Sequence, residues 1–117
     1  MLSFTKNIVI NKHIEEITVT TKEAAAIGMI LVELLSNSIK YAFPNSSNGI
    51  INIVMKKVGS NIVMSVEDNG IGLPNNFDIT KTESLGLHIV NLMVKQLGGI
   101  IKFTRGDGTK MELEFPI

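Results

Sequence analysis

The pattern of apolar and polar positions along the chain predicts short strands interrupted by two helices. Alternating apolar and polar residues, and short runs rich in branched residues, are typical of strands. Six segments show these patterns: residues 7–11, 17–20, 50–58, 62–67, 100–104 and 109–115. Apolar residues three and four positions apart predict helices over residues 22–41 and 85–97. The predicted order is strand, strand, helix, strand, strand, helix, strand, strand.

The strands come in consecutive pairs, and that grouping predicts the fold class. Turn residues at 59–61 and 105–108 predict hairpins for the second and third pairs. The first pair could also form a hairpin, although no glycine marks its bend. Hairpins separated by helices predict an α+β fold, a two-layer α/β sandwich in which a mixed, mainly antiparallel sheet carries helices on one face. The length of 117 residues fits one domain spanning residues 1–117.

The first predicted helix has two unlike faces. Thr20 or Thr21, followed by Glu23, predicts an N-terminal cap, and Gly28 predicts close packing by a neighbouring element. One face is mainly apolar and should lie in the core: Ile27, Leu31, Leu34, Leu35 and Ser38. The other face carries an acid, an amide, a base and an aromatic: Glu33, Asn37, Lys40 and Tyr41. Such a face is either solvated surface or part of a site, and the helix alone leaves both open.

Composition limits the kinds of partner that the chain can attract. Eleven basic residues balance eleven acidic ones, so no general field draws nucleic acid or an acidic membrane surface. A bound anion would therefore need a local site. The absence of cysteine excludes disulfides and thiolate ligands and fits a cytoplasmic protein, and two histidines alone disfavour structural zinc. No apolar run approaches the ~20 residues of a membrane span, and the first ten residues lack the signal-peptide pattern.

Three further segments carry candidate chemistry. Asp68 ends a predicted strand and precedes Gly70 and Gly72, which places a carboxylate beside backbone that a flat ligand can approach closely; the alternative is a plain turn. Gly86 near the start of the second helix would expose N–H groups to an anion, or simply belong to a helix cap. Thr109 follows a turn, where its hydroxyl could reach a ligand or merely suit a strand. The chain has neither a GxxxxGK[ST] loop nor a GxGxxG turn after a strand.

Taken together, the order and spacing of these segments resemble the ATP-binding catalytic domain of sensor histidine kinases. This domain belongs to the GHKL, or Bergerat-fold, ATPases, with DNA gyrase and MutL as relatives. The resemblance covers residues 17–116 and rests on four motifs: ELLSNSIKYAFP at 33–44, EDNGIGLP at 67–74, SLGLHIVNLMVKQLGG at 84–99 and GTKMELEFP at 108–116. It is closest to the kinases that have Ala-Phe-Pro after the first motif and Ser-Leu-Gly-Leu in the third.

The resemblance implies ATP and Mg²⁺ as cofactors and assigns a role to each matching position. Asn37 would coordinate Mg²⁺ through its side-chain oxygen, and Lys40 would meet the phosphates. Asp68 would accept a hydrogen bond from the adenine amino group. The remaining nucleotide contacts would come from Tyr41, Gly70, Gly72, Leu73, Ser84, Leu85, Gly86, Leu87 and Thr109. Residues 75–83 would form the lid over the nucleotide, and Ser84 stands where many of these kinases have a glycine, which implies a less flexible lid.

Glu33 has two possible roles in this comparison. It occupies a position that is asparagine in many histidine kinases, whereas a glutamate on this helix activates water in the hydrolysing relatives. Glu33 could therefore be a general base or an orienting group in the Mg²⁺ shell. Phosphoryl transfer depends mainly on positioning and charge neutralisation, which favours the second role. The implied catalytic set is Glu33, Asn37 and Lys40, with Asn37 and Glu33 toward the metal.

The resemblance also implies partners. In these kinases the phosphorylated histidine lies on a separate dimerising helical hairpin, which this sequence lacks, so we expect a fragment with low activity of its own. It would donate the γ-phosphate of ATP to a histidine of that domain, from which a response regulator receives it, without contacting nucleic acid or membrane. The alternatives are a stand-alone serine kinase of the anti-sigma type, which shares the fold, and a non-catalytic module.

Overall fold

The computed structural model describes residues 7–43, 48–71 and 85–117, except for the side chains of Tyr41 and Ala42. In chain order the elements are β1 (Asn7–Ile14), α1 (Thr21–Asn37), a π turn (Ser38–Ala42), β2 (Asn48–Val58), β3 (Asn61–Asp68), α2 (Leu85–Gln96), β4 (Ile100–Arg105) and β5 (Thr109–Pro116). No helix in these ranges is long and apolar enough to cross a membrane.

Within the described residues the strands form one sheet in the order β1-β2-β3-β5-β4. β1 and β2 are parallel, and the other neighbouring pairs are antiparallel. Alternate residues of β2, β3 and β5 point to one face, where the apolar stripes of α1 and α2 cover them to form a single core. In β5, Met111, Leu113 and Phe115 are buried as predicted. The predicted α+β fold, with a mixed sheet and helices on one face, is confirmed.

The predicted hairpin between residues 7–11 and 17–20 is wrong. β1 extends to Ile14 and pairs in parallel with β2, an arrangement that needs a crossover, which α1 supplies. Residues 17–20 form no strand. Ile17 and Val19 instead lie half-buried against the core. One-sided burial of a connecting segment gives the same alternation as a strand, which explains the error.

The start of α1 is closed by the predicted cap. Thr20 Oγ1 accepts from the Glu23 amide at 3.1 Å, and Glu23 Oε1 accepts from the Thr20 amide at 2.8 Å. This reciprocal arrangement satisfies two backbone donors and is worth about 1 kcal/mol to helix stability. No described element of this chain packs closely on Gly28 as predicted, because a Cβ at this position would meet no described atom within 4 Å.

The α-helical winding ends at Asn37 rather than at the predicted Tyr41. The next five residues form the π turn, in which each hydrogen bond spans one residue more than in an α-helix. The turn leads to Phe43, whose ring is buried against Gly49 so closely that a Cβ there would lie 2.6 Å from two ring carbons. The wider turn therefore connects the polar end of α1 to a core anchor.

Candidate functional site

Asp68 is a buried carboxylate at the end of β3, with 6% of its surface exposed. Its side chain points to the helix-covered face because Met64 and Val66, four and two residues earlier, are also buried there. Across the ladders it lies opposite Thr109 of β5 and Ile51 of β2. A carboxylate in this position must be compensated by hydrogen-bond donors, because burial without them is costly.

Three donors from separate parts of the chain converge on Asp68. Its Oδ1 accepts from the amide of Gly70 at 3.0 Å and from the amide of Thr109 at 3.2 Å. Its Oδ2 accepts from the hydroxyl of Ser38 at 3.1 Å. An ionised carboxylate offers about four acceptor positions, two on each oxygen. Among the residues that the structure describes, the arrangement therefore fixes the carboxylate and leaves one position, on Oδ2, for a further donor.

The backbone around Asp68 is packed closely enough to require glycine at one neighbouring position. Gly108, in the turn between β4 and β5, lies against the Asp68 carbonyl group, and a Cβ on Gly108 would overlap that oxygen. Asn69 fixes the chain as it leaves β3, since its Oδ1 accepts from the Ile50 amide at 2.9 Å and its own amide donates to Ile50 O at 3.2 Å. Asp68 thus belongs to a rigid corner of the sheet.

A second group of polar residues lies at the end of α1. Asn37 and Glu33 are one helical turn apart on the same face. The Asn37 Nδ2 is buried and has no hydrogen-bond partner among the described residues. The half-buried Glu33 carboxylate lies against Gly86 in the first turn of α2, where a Cβ would overlap Glu33 Oε2. The glycine thus leaves room for a carboxylate where the two helices meet.

The other predicted site residues differ in their position and exposure. Lys40 is exposed and lies in the π turn, so the α-helical register that placed it with Glu33 and Asn37 does not hold. Leu85 is exposed at the start of α2, whereas the Leu87 side chain is buried in the core, so only its backbone could face a ligand. The remaining predictions lie outside the described residues: the Tyr41 side chain, Gly72, Leu73, the lid at 75–83 and Ser84.

Two residues with clear roles in this geometry were not assigned to the site from the sequence. Ser38 was placed in the core stripe of the helix, and it is buried there, but its hydroxyl is bonded to Asp68. Gly108 was noted as a turn residue and as the first residue of the fourth motif, without a role of its own. A polar side chain within an apolar stripe was the available signal for Ser38, since buried hydroxyls are nearly always hydrogen-bonded. Thr109 donates its backbone amide to Asp68, and the ligand contact suggested for its hydroxyl stays a prediction.

Comparison with known proteins matches this chain to a family of ATPases and to individual histidine kinases. The family model of histidine kinase-, DNA gyrase B-, and HSP90-like ATPases matches residues 22–117. The chain is 30% identical over 112 residues to blue-light-activated histidine kinase 2 of Erythrobacter litoralis, covering 94% of this chain and 32% of that protein. It is 35% identical over 98 residues to the sensor histidine kinase PdtaS of Mycobacterium tuberculosis, covering 80% of this chain and 20% of that protein.

A solved structure extends the similarity to three dimensions. The histidine kinase domain of the Erythrobacter litoralis EL346 blue-light activated histidine kinase superposes with a TM-score of 0.87 at 29% identity, covering 93% of this chain and 51% of that one. The chain spans about a third or less of the length of the curated relatives just described. Since the family model covers residues 22–117, the chain belongs to the family of histidine kinase-, DNA gyrase B-, and HSP90-like ATPases.

Proposed function

We propose that this chain is the catalytic domain of a sensor histidine kinase. It binds ATP with Mg²⁺ and donates the γ-phosphate to a histidine of a separate dimerisation domain, from which a response regulator receives it. Two curated relatives are named as histidine kinases, which supports the class of reaction. The observation that carries the proposal is the buried Asp68 carboxylate, which three donors from the described part of the chain hold with one acceptor position left.

The free acceptor position on Asp68 suits the adenine base. The exocyclic amino group of adenine would donate to Oδ2, completing the set of donors around the carboxylate. Guanine carries a carbonyl oxygen at the equivalent position, which would face the carboxylate with lone pairs on both sides. Removing these oxygens from water without a new hydrogen bond would then cost about 1–3 kcal/mol, which is enough to select adenine over guanine. Gly70 and Gly72, beside Asp68 in sequence, would leave room for the flat base.

The polar residues at the end of α1 suit the phosphates and the metal. The Nδ2 of Asn37, which has no partner in the described part of the chain, needs an acceptor, and a phosphate oxygen would supply one. Rotation of the same amide would present its oxygen, a ligand that Mg²⁺ accepts. Among the described residues no group of three or more His, Asp or Glu side chains could hold a metal. Asn37 and Glu33 would therefore hold Mg²⁺ together with phosphate oxygens and water, as is usual for this ion.

The start of α2 and Lys40 would meet the phosphate charge. Backbone N–H groups at a helix N-terminus attract anions, and this end of α2 includes Leu85, Gly86 and Leu87, preceded by Ser84. Lys40 is exposed and long enough to act as a mobile point charge. Bound Mg²⁺ would neutralise charge on the transferred phosphoryl group. The Glu33 carboxylate, next to Gly86, would act as an orienting group in the Mg²⁺ shell.

Calorimetric titration with a non-hydrolysable ATP analogue tests the binding half of the proposal. The wild-type chain should bind the analogue more tightly with Mg²⁺ than without it. Asn37→Asp should weaken binding about tenfold, and more strongly without Mg²⁺, because the added carboxylate repels the phosphates and the buried donor is lost. Asn11→Asp adds the same charge at an exposed position of β1 that no prediction places in the site, and it should leave the affinity unchanged. Absence of any binding by the wild type would contradict the proposal.

The phosphoryl acceptor is tested with labelled ATP. When a dimerisation domain carrying a phosphorylatable histidine is added, we expect label on that domain that is lost in acid and retained in base, as phosphohistidine is. Acid-stable phosphoserine on an added partner protein would instead support the anti-sigma type of serine kinase. A domain with its histidine replaced by glutamine is the matched control and should remain unlabelled.

A further inference from the structure

Ser38 donates to Asp68 through its side chain and lies in the π turn that follows α1, whereas Gly70 and Thr109 donate through their backbone amides. It is the first residue of the π turn and is 3% exposed, and its hydroxyl meets Asp68 Oδ2 at 3.1 Å. The Gly70 and Thr109 amides both bond Oδ1. The oxygen that keeps a free acceptor position is thus the one that Ser38 holds.

We propose that Ser38 is a positioning residue that determines specificity for the adenine amino group by orienting Asp68 Oδ2. The inference rests on the proposed function, since it concerns how the same carboxylate meets the base. The Ser38 hydrogen occupies one of the two acceptor positions on Oδ2, so the other position has a fixed direction. A single donor of defined orientation, such as one N–H of an exocyclic amino group, then fits the carboxylate.

Removing the hydroxyl changes this oxygen in two ways. Oδ2 gains a second open position, so water or a differently placed donor can compete for it. The carboxylate also loses the contact that ties it to the helical layer, leaving Oδ1 alone anchored by backbone amides. The terminal torsion of aspartate is broad, so a group held through one oxygen has freedom to tilt. Both changes weaken the bond to the adenine amino group more than they weaken contacts to the rest of the nucleotide.

The test compares ATP with purine riboside triphosphate, which lacks the 6-amino group, by calorimetric titration of the whole chain. The ratio of the two Kd values in the wild type measures the discrimination for the amino group. In Ser38→Ala this ratio should fall about fivefold, because neighbouring hydrogen bonds to one carboxylate are energetically coupled. Ser38→Thr retains a hydroxyl and should keep most of the ratio. A merely structural serine would weaken both ligands equally and leave the ratio unchanged, which would overturn the inference.

Controls separate this inference from the proposed function and from folding. Ser65→Ala removes another buried serine, on β3 but out of phase with the core-facing Met64 and Val66, and should alter neither Kd. If Ser38→Ala does not fold, Ser38→Cys keeps a side chain of similar shape with only a weak donor and should show the same fall in the ratio. A wild type that binds neither nucleotide would contradict the proposed function itself. A wild type that binds ATP and keeps its full discrimination in the Ala or Cys variant would contradict only the role of Ser38.

Discussion

Replacing Asp68 with asparagine should weaken ATP binding about 100-fold while the chain still folds. The two backbone amides of Gly70 and Thr109 that bond Oδ1 would select the amide oxygen of asparagine for that position. The NH₂ group would then replace Oδ2. The adenine amino group would meet a donor instead of an acceptor, and two buried donors facing each other lose a hydrogen bond and its compensation for desolvation. A loss of about 2–3 kcal/mol corresponds to roughly 30- to 150-fold in Kd, and the lost carboxylate charge adds to it.

The same geometry explains why the Asp68→Asn variant should remain folded. The Ser38 hydroxyl, which donates to Oδ2 in the wild type, can rotate and accept from the new NH₂ group. Every buried polar group of the corner then keeps a partner, so the thermal midpoint should change little. Calorimetric titration with an ATP analogue measures the affinity, and circular dichroism measures the midpoint. Asp107→Asn, in the exposed turn between β4 and β5, is the matched control and should bind as the wild type does. Heat curves that Asp68→Asn leaves unchanged would rule out Asp68 as the contact to adenine.

The sequence predicted the parts of the fold that depend on local pattern and turn chemistry. The β2–β3 and β4–β5 hairpins follow from alternation interrupted by turn residues, and the cap at Thr20 follows from a hydroxyl placed three residues before Glu23. The parallel pairing of β1 with β2 could not be predicted in this way. It joins segments about 40 residues apart, and nothing in the local pattern of β1 distinguishes a hairpin partner from a distant parallel one.

The site was predictable to the extent that its chemistry was visible in single residues. A carboxylate before glycines marked Asp68 as a candidate, and the resemblance to histidine kinases assigned it the contact to adenine. Ser38 was not identified, because one serine within an apolar stripe acquires a role only when the sheet brings Asp68 opposite it. Lys40 was grouped with Glu33 by an α-helical register that stops at Asn37, and a π turn has no clear signature in sequence. Long-range packing and a change of helix type therefore account for these differences.

Replacing Gly108 with alanine should both destabilise the fold and disturb the proposed contact to adenine. A Cβ on Gly108 would lie 2.8 Å from the Asp68 carbonyl carbon and 3.0 Å from Asn69 Cα, and it would overlap the Asp68 carbonyl oxygen. All three atoms are backbone, so no side chain can move aside. β3 is held on both edges by β2 and β5, so the turn between β4 and β5 must shift instead. We expect the free energy of unfolding to fall by about 2 kcal/mol, within the range for overpacked sites.

The shift of the turn between β4 and β5 should also weaken nucleotide binding, because it moves Thr109. Thr109 follows Gly108 directly, and its amide is one of the two donors that hold Asp68 Oδ1. Moving that amide loosens the carboxylate, so Gly108→Ala should also weaken ATP binding about tenfold under conditions in which the variant is folded. Urea unfolding followed by circular dichroism measures the stability, and calorimetric titration measures the affinity.

Gly106 provides a matched control within the same turn. A Cβ there would meet no atom of the described residues within 4 Å, and the Gly106 backbone is not left-handed. Gly106→Ala should therefore change the free energy of unfolding by less than about 0.5 kcal/mol, or raise it slightly by restricting the unfolded chain, with no effect on the Kd for ATP. Equal losses in the two variants would show that the turn tolerates no side chain at all. Only the contrast between Gly108 and Gly106 ties the loss to the backbone contact with Asp68, the residue proposed to recognise the base.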